Sequence, residues 1–385
     1  MRKIYFLILL GVVACTPQQP ADYFVLRGTV PGAMDSTMVS LKKLDGRSKL
    51  ITGYIIGEKF ELSGKLDVPT RCELVLDNYD YLERSGGEWE SGRRVNIDFF
   101  VENGKLTFTT PHLDSLPESF WKYDIRKEKN YKVEGSKAQD VYCRYQQQTI
   151  PVRYNIFKIR EKEKLTLDDN RQLNDLLTEY REIGKKFIRD NSNIAVNLYI
   201  VEGLKKSAFT YDQAYLDELG QLFAATQDTC AGLKNFRQYL HDATRFVKET
   251  PLQDGEISDV EGNGVSLLAQ LNSNGYTLID FWASWCGPCR ASFPHLREMY
   301  RSYGNKVKFV SISIDQKKED WLKAMEEEKL HWSQFWGSPE FSKKLPGLYD
   351  LRGIPTFFFI DPAGKIVFSG HSSLDLEEQL SKLDF

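Results

Sequence analysis

The sequence predicts three successive folded regions: an antiparallel β-rich domain, an all-helical segment and a C-terminal α/β domain. Three observations carry this expectation. Apolar residues first alternate, then recur with a helical period, then fall into strands and helices in turn. Gly and Pro become scarce in the middle stretch, where the helical period appears. The chain has 385 residues, enough for two or three domains at roughly 150 residues each. Aromatic residues make up 13% of it, which speaks for packed cores and against disorder. Six cysteines are far too few for a disulfide scaffold. With 51 basic and 54 acidic residues the net charge is −3, so no basic footprint points to nucleic acid.

The first residues read as an address. Arg2 and Lys3 precede a ten-residue apolar run, 4–13. A helix of that length spans about 15 Å, half a bilayer core, so the run is a leader and not a membrane span. Val12-Val13-Ala14-Cys15 resembles a bacterial lipobox. That resemblance implies a signal peptide of residues 1–14 and a lipid on Cys15, with 15–22 as a polar, Pro-containing tether. An ordinary secretory cleavage site beside an unrelated cysteine is the competing reading. Stable attachment needs two or more acyl chains, so a lipidated protein would sit on a membrane without spanning it.

The β-rich domain is expected over 23–133. Strands are expected at 23–30, 37–44, 59–63 and 72–77, with a hairpin from 95–102 through Asn103-Gly104 to 105–109. Asp45-Gly46 is a second turn signal, and Tyr79 and Tyr81 are read as core or rim residues. The helical region is expected over 134–250, with four or five helices. Leu173, Leu176, Leu177, Tyr180 and Ile183 form one apolar stripe, behind a cap at Thr166-Leu167-Asp168-Asp169. Tyr215, Leu216, Leu219, Leu222 and Phe223 form another. The α/β domain is expected over 251–385, with buried strands at 277–282, 307–314, 357–360 and 365–368.

The chemistry lies at Trp285-Cys286-Gly287-Pro288-Cys289, where an apolar strand runs into a helical pattern of Phe293, Leu296 and Tyr300. Two cysteines three apart at a helix start can close a small disulfide. The first lies at the helix N-terminus, where free N–H groups and the dipole favour its thiolate. The second lies one turn inside and resolves the mixed disulfide. A zinc site would need four ligands, and no second Cys-x-x-Cys or His pair at ligand spacing supplies them. Hence no metal and no cofactor are expected. Cys72, Cys143 and Cys230 stand singly and read as small apolar residues.

The segment 280–294 resembles the thioredoxin superfamily, and most closely its TlpA/ResA-like branch of membrane-tethered periplasmic proteins. The resemblance rests on Asp280-Phe281-Trp282-Ala283, then Trp-Cys-Gly-Pro-Cys, then Pro294 eight residues after Cys286. A second signature is Gly353-Ile354-Pro355-Thr356. The resemblance implies a thioredoxin-like fold for the last third of the chain. It implies that Cys286 attacks, that Cys289 resolves and that Asp280 is a buried carboxylate able to take a proton from Cys289 through water. It implies a cis Pro355 that presents the Ile354 backbone to substrate, and a Trp285 at the rim; a packed aromatic is the other reading of Trp285. The branch often has an acidic residue three after the second cysteine. Here that position is Ser292, so that residue's role does not transfer.

The implied function is a thiol–disulfide oxidoreductase of the Gram-negative envelope. Gly-Pro between the cysteines resembles the reducing members, so a reductase of protein disulfides is expected. It would draw electrons from an inner-membrane thiol donor, as the family does. A disulfide isomerase or oxidase is one alternative. A binding or stress-response lipoprotein, with a partner recognised by residues 23–250, is another. A thiol peroxidase is excluded, because Pro-x-x-x-Thr-x-x-Cys is broken at Ile279 and Ala283.

Overall fold

The structure, a computed structural model, describes residues 22–44, 48–79, 93–116 and 130–383. The leader, Cys15, all but the last residue of the tether, Asp45-Gly46 and Tyr81 lie outside the described residues. The chain forms two compact units that divide between Gln146 and Gln147.

The first unit holds strands β1 (Phe24–Thr29), β2 (Met38–Lys43), β3 (Lys49–Tyr54), β4 (Lys59–Gly64), β5 (Thr70–Asp77), β6 (Arg94–Val101), β7 (Gly104–Thr109) and β8 (Lys132–Glu134). They make two four-stranded sheets, ordered β4-β1-β7-β8 and β3-β2-β5-β6. Alternate residues point to one face of a strand, so Phe24, Leu26, Leu41, Leu74, Phe99 and Phe108 meet in a single core. The pairing is antiparallel except for β1 against β7, which is parallel.

The expected Asn-Gly hairpin does not form. The β6 and β7 strands are consecutive but belong to different sheets. The Asn103 side chain grips the backbone of Leu66 instead, with Oδ1 accepting from its N–H at 3.1 Å and Nδ2 donating to its carbonyl at 2.7 Å. Gly104 takes a φ of +138°, far from the value near +60° to +90° that a type I′ turn needs. The two residues thus turn the chain from one sheet to the other. The β3 strand was not expected, because its residues are partly exposed on both faces and show no clean alternation.

Five helices follow: α1 (Lys137–Arg160), α2 (Leu167–Asp190), α3 (Ile194–Glu202), α4 (Gln213–Gln221) and α5 (Ala231–Ala243). The boundary between the units lies within α1. The α2 helix starts where the sequence places it. Thr166 Oγ1 accepts from Asp169 N, and Asp169 Oδ2 accepts from Thr166 N, a reciprocal capping box.

The C-terminal α/β region holds β9 (Thr250–Pro251), β10 (Glu256–Ser258), β11 (Gly264–Ser266), β12 (Tyr276–Trp282), α6 (Gly287–Tyr303), β13 (Val307–Ser313), α7 (Lys318–Glu328), β14 (Ser333–Trp336), α8 (Pro339–Tyr349), β15 (Thr356–Ile360), β16 (Lys365–Gly370) and α9 (Ser373–Leu380). One eight-stranded sheet runs β11-β10-β14-β13-β12-β15-β16-β9. The β12, β13 and β14 strands are mutually parallel, joined by α6 and α7, and β15 runs antiparallel against β12. The β12 strand is buried almost throughout because both its faces are covered, with Thr277 and Asp280 interrupting an otherwise apolar run. Ile279 and Phe281 enter a core with Tyr349 and Phe358. Leu278 and Trp282 enter the opposite core with Cys289, Phe293 and Leu296 of α6.

Candidate active site at the start of helix α6

Cys286 caps α6. Its Sγ accepts from the backbone N–H of Cys289 at 3.1 Å, so the first turn of the helix delivers a free donor to the sulfur. Cys286 and Cys289 are joined in a disulfide, with Cα atoms 5.3 Å apart. Cys289 is fully buried and Cys286 nearly so. Pro288 occupies the first turn, where a missing N–H costs nothing.

Ile354 brings a second strand end to the same sulfur. Its carbonyl oxygen lies 3.7 Å from Cys286 Sγ. The Ile354–Pro355 peptide is cis. Trp285 stands out at the rim with 68% of its surface exposed, which rules out the packed reading. Ser292 donates back to the carbonyl of Cys289 at 2.7 Å, satisfying its hydroxyl within the helix.

Asp280 faces the disulfide side of β12, since it alternates with Leu278 and Trp282 on the face that packs against α6. It is buried. Its Oδ2 accepts from Ser311 Oγ at 3.0 Å, and Ser311 Oγ in turn accepts from Trp332 Nε1 at 2.8 Å. Oδ1 is buried with no hydrogen-bond partner among the described residues. Burial disfavours the charged form and pushes this carboxyl up to about 7, with the Ser311 hydrogen bond opposing.

A family model described as thioredoxin-like matches residues 274–366. The C-terminal domain belongs to the thioredoxin superfamily. A second model, a domain of unknown function (DUF4369), matches residues 24–142. Among known proteins the chain is similar to the thiol-disulfide oxidoreductase ResA of Bacillus subtilis, 30% identical over 128 residues, covering 33% of this chain and 63% of that protein. It is equally similar to ResA of Oceanobacillus iheyensis, 30% identical over 123 residues, covering 31% of this chain and 56% of that one. The chain therefore spans less than two thirds of the length of either relative. A solved thioredoxin domain of a thiol-disulfide oxidoreductase from Bacteroides vulgatus is 31% identical, covering 35% of this chain and 96% of that one, with a TM-score of 0.33.

Sequence reasoning missed the residues that hold this thioredoxin-like site in place. Asp315 clamps the loop before Cys286, accepting from Ser284 N at 2.9 Å and from Ser284 Oγ at 2.7 Å. Ser311 and Trp332 serve Asp280 from neighbouring elements. None of the three carries a local motif. Ser311 reaches Asp280 only because the two are paired across β12 and β13. His295 is held in contact with Ser373 Oγ at 2.9 Å and Glu377 Oε2 at 3.0 Å. Of the single cysteines, Cys72 is buried, while Cys143 and Cys230 are partly exposed.

Proposed function

We propose that this protein is a thiol–disulfide oxidoreductase that reduces protein disulfides in the cell envelope. The observation that carries the reading is the placement of Cys286 Sγ, between the N–H of Cys289 and the carbonyl of Ile354, at the start of α6. The helix start favours a thiolate there once the pair is reduced.

The reaction balances as a two-electron exchange. The Cys286 thiolate attacks one sulfur of a substrate disulfide, a mixed disulfide forms, and the first substrate thiolate leaves. Cys289 gives up its proton and attacks Cys286 Sγ. The second substrate thiolate leaves, and the Cys286–Cys289 disulfide closes, as seen in this structure. Asp280, held near neutral pH by burial, is the residue suited to take the Cys289 proton. Ile354 offers backbone groups for strand-like pairing with the substrate chain, and Trp285 offers an exposed aromatic surface beside it. Resetting the pair needs an external dithiol, for which an inner-membrane thiol donor is the proposed source.

The address belongs to the same proposal. Residues 1–14 would direct export and Cys15 would carry the lipid, with 15–22 as the tether, 23–133 and 134–250 as accessory regions, and 251–385 as the redox domain. Among the described residues no helix is long and apolar enough to cross a membrane.

The test is the reduction potential of the Cys286–Cys289 pair, measured against a thiol buffer. A value near that of thioredoxin, about −270 mV, supports a reductase. A value near that of DsbA, about −120 mV, would reverse the electron flow and make the protein an oxidase or isomerase. The Cys286→Ser variant is expected to lose all reduction of a model protein disulfide. Retention of that activity would move the chemistry elsewhere in the chain.

A further inference from the structure

The loop Gly353-Ile354-Pro355-Thr356 is gripped by a side chain from the next strand end. The β15 and β16 strands run antiparallel, and Phe357 pairs with Gly370 at the end of their ladder. One residue further out, Thr356 and His371 therefore stand opposite each other. His371 lies between the end of β16 and the start of α9, where Ser372 caps the helix by accepting from Leu374 N at 3.2 Å. Its backbone thus has a fixed element on either side. His371 Nδ1 lies 2.9 Å from the Pro355 carbonyl oxygen and 3.2 Å from Thr356 Oγ1. A carbonyl oxygen can only accept, so Nδ1 carries the proton and donates. Thr356 Oγ1 donates onward to the Gly353 carbonyl at 2.7 Å.

The carbonyls on both sides of Ile354 are therefore tied down by side chains, one by His371 and the other by Thr356. The carbonyl between them, that of Ile354, lies 3.7 Å from Cys286 Sγ. An extended segment can add to a strand end only if the N–H and C=O groups it meets hold their direction. A loop without anchors would have to be ordered by the incoming chain, and that ordering would be subtracted from the affinity. Among the described residues His371 makes no hydrogen bond to either cysteine of the pair. It is exposed, so its replacement opens no core. Its reach is to the loop and not to the sulfurs.

We propose that His371 is a positioning residue for substrate recognition. Its Nδ1–H holds the loop so that the Ile354 backbone is preset to pair with the chain that flanks a substrate disulfide. The inference rests on the oxidoreductase reading given above. It makes His371 matter for a disulfide carried on a peptide chain and not for a small disulfide that has no backbone to pair.

The experiment compares two disulfides, insulin and 2-hydroxyethyl disulfide, offered to the full chain after it has been reduced and freed of other thiols. Closure of the Cys286–Cys289 disulfide is followed by alkylation and peptide mass spectrometry. His371→Leu is expected to raise the half-saturating insulin concentration roughly five- to tenfold, the worth of one well-placed hydrogen bond. Its maximal rate with insulin, its rate with 2-hydroxyethyl disulfide and the reduction potential of the pair are expected to match the parent. His371→Asn is expected to restore the insulin value, because its amide nitrogen stands the same number of bonds from Cα as Nδ1 does and also donates. Parent-like insulin saturation in His371→Leu, or an equal loss with both disulfides, would overturn the positioning role and leave the oxidoreductase reading standing. A parent chain that closes its disulfide with neither compound would overturn both.

Discussion

Asp280 has one oxygen bonded to Ser311 and the other bonded to nothing described. Its pKa of about 7 in the fold lies above the ordinary aspartate value of 3.8. Between those two values the folded chain holds a proton that the unfolded chain has lost. Asp280 therefore contributes stability below about pH 4, and that contribution falls away as the pH rises to about 7. Asp280→Asn keeps the shape and removes the titration. The variant is expected to be more stable than the parent above pH 7 by a few kcal/mol at most, on the order of 1.4 kcal/mol per pKa unit. On the proposed mechanism it is expected to close the mixed disulfide more slowly, because Cys289 would lose its proton acceptor. Denaturant unfolding at pH 5 and pH 8, and single-turnover kinetics, check the two halves; a variant with unchanged kinetics would leave Asp280 a purely structural residue. The two cysteines were legible in the sequence because capping a helix is a local act, written in neighbouring residues. The Ser311 and Trp332 partners were not, because strand register and not sequence distance brings them to Asp280.

At the scale of elements, α2 shows what local sequence can specify. Thr166 with Asp169 gives its first residue, but the stripe from Leu173 to Ile183 is only partly covered, and the apolar residues that are buried, Phe187 and Ile188, lie beyond it. The Lys162 ammonium also bonds to Asp169, and the hydrogen bonds there hold the Asp169 carboxyl down at about 2. Thr166→Ala is expected to cost about 1 kcal/mol. Hydrogen exchange should show it as faster exchange confined to the first turn of α2, and uniform protection would deny the cap its role. The same local logic failed at Asn103-Gly104. A turn-forming pair states that the chain bends, but the tertiary offer of two backbone hydrogen bonds from Leu66 decided where it went next. The β3 strand escaped notice for a related reason. Its residues sit half-covered on both sides, so burial leaves no alternating trace in the sequence.

Across the larger unit, α2 is tied to the last helix of the thioredoxin-like domain. Asn170 Nδ2 donates to Asp375 Oδ1 at 2.9 Å and to Glu378 Oε2 at 3.3 Å, and Asn174 reaches Glu378 at 3.2 Å. Asn170 and Glu378 are both buried, so the loss of one partner exposes the other to an unpaired burial cost of about 1–3 kcal/mol. Asn170→Ala is expected to speed hydrogen exchange in α2 and α9 together; acceleration of α2 alone would show that the two helices open independently. No reading of the separate regions could have shown this tie, since some two hundred residues separate its ends. The smaller unit holds a different kind of long-range debt. Its chain passes between the two sheets four times, and β1 lies between β4 and a β7 that begins eighty residues after it. A growing or threading chain thus carries β1 with one raw edge until residues 104–109 arrive, and no fragment that stops sooner can close either the sheet or its core. Assembly of this unit should be slow and all at once, and a nascent chain stalled before Gly104 would present a sticky strand to any neighbour stalled at the same point.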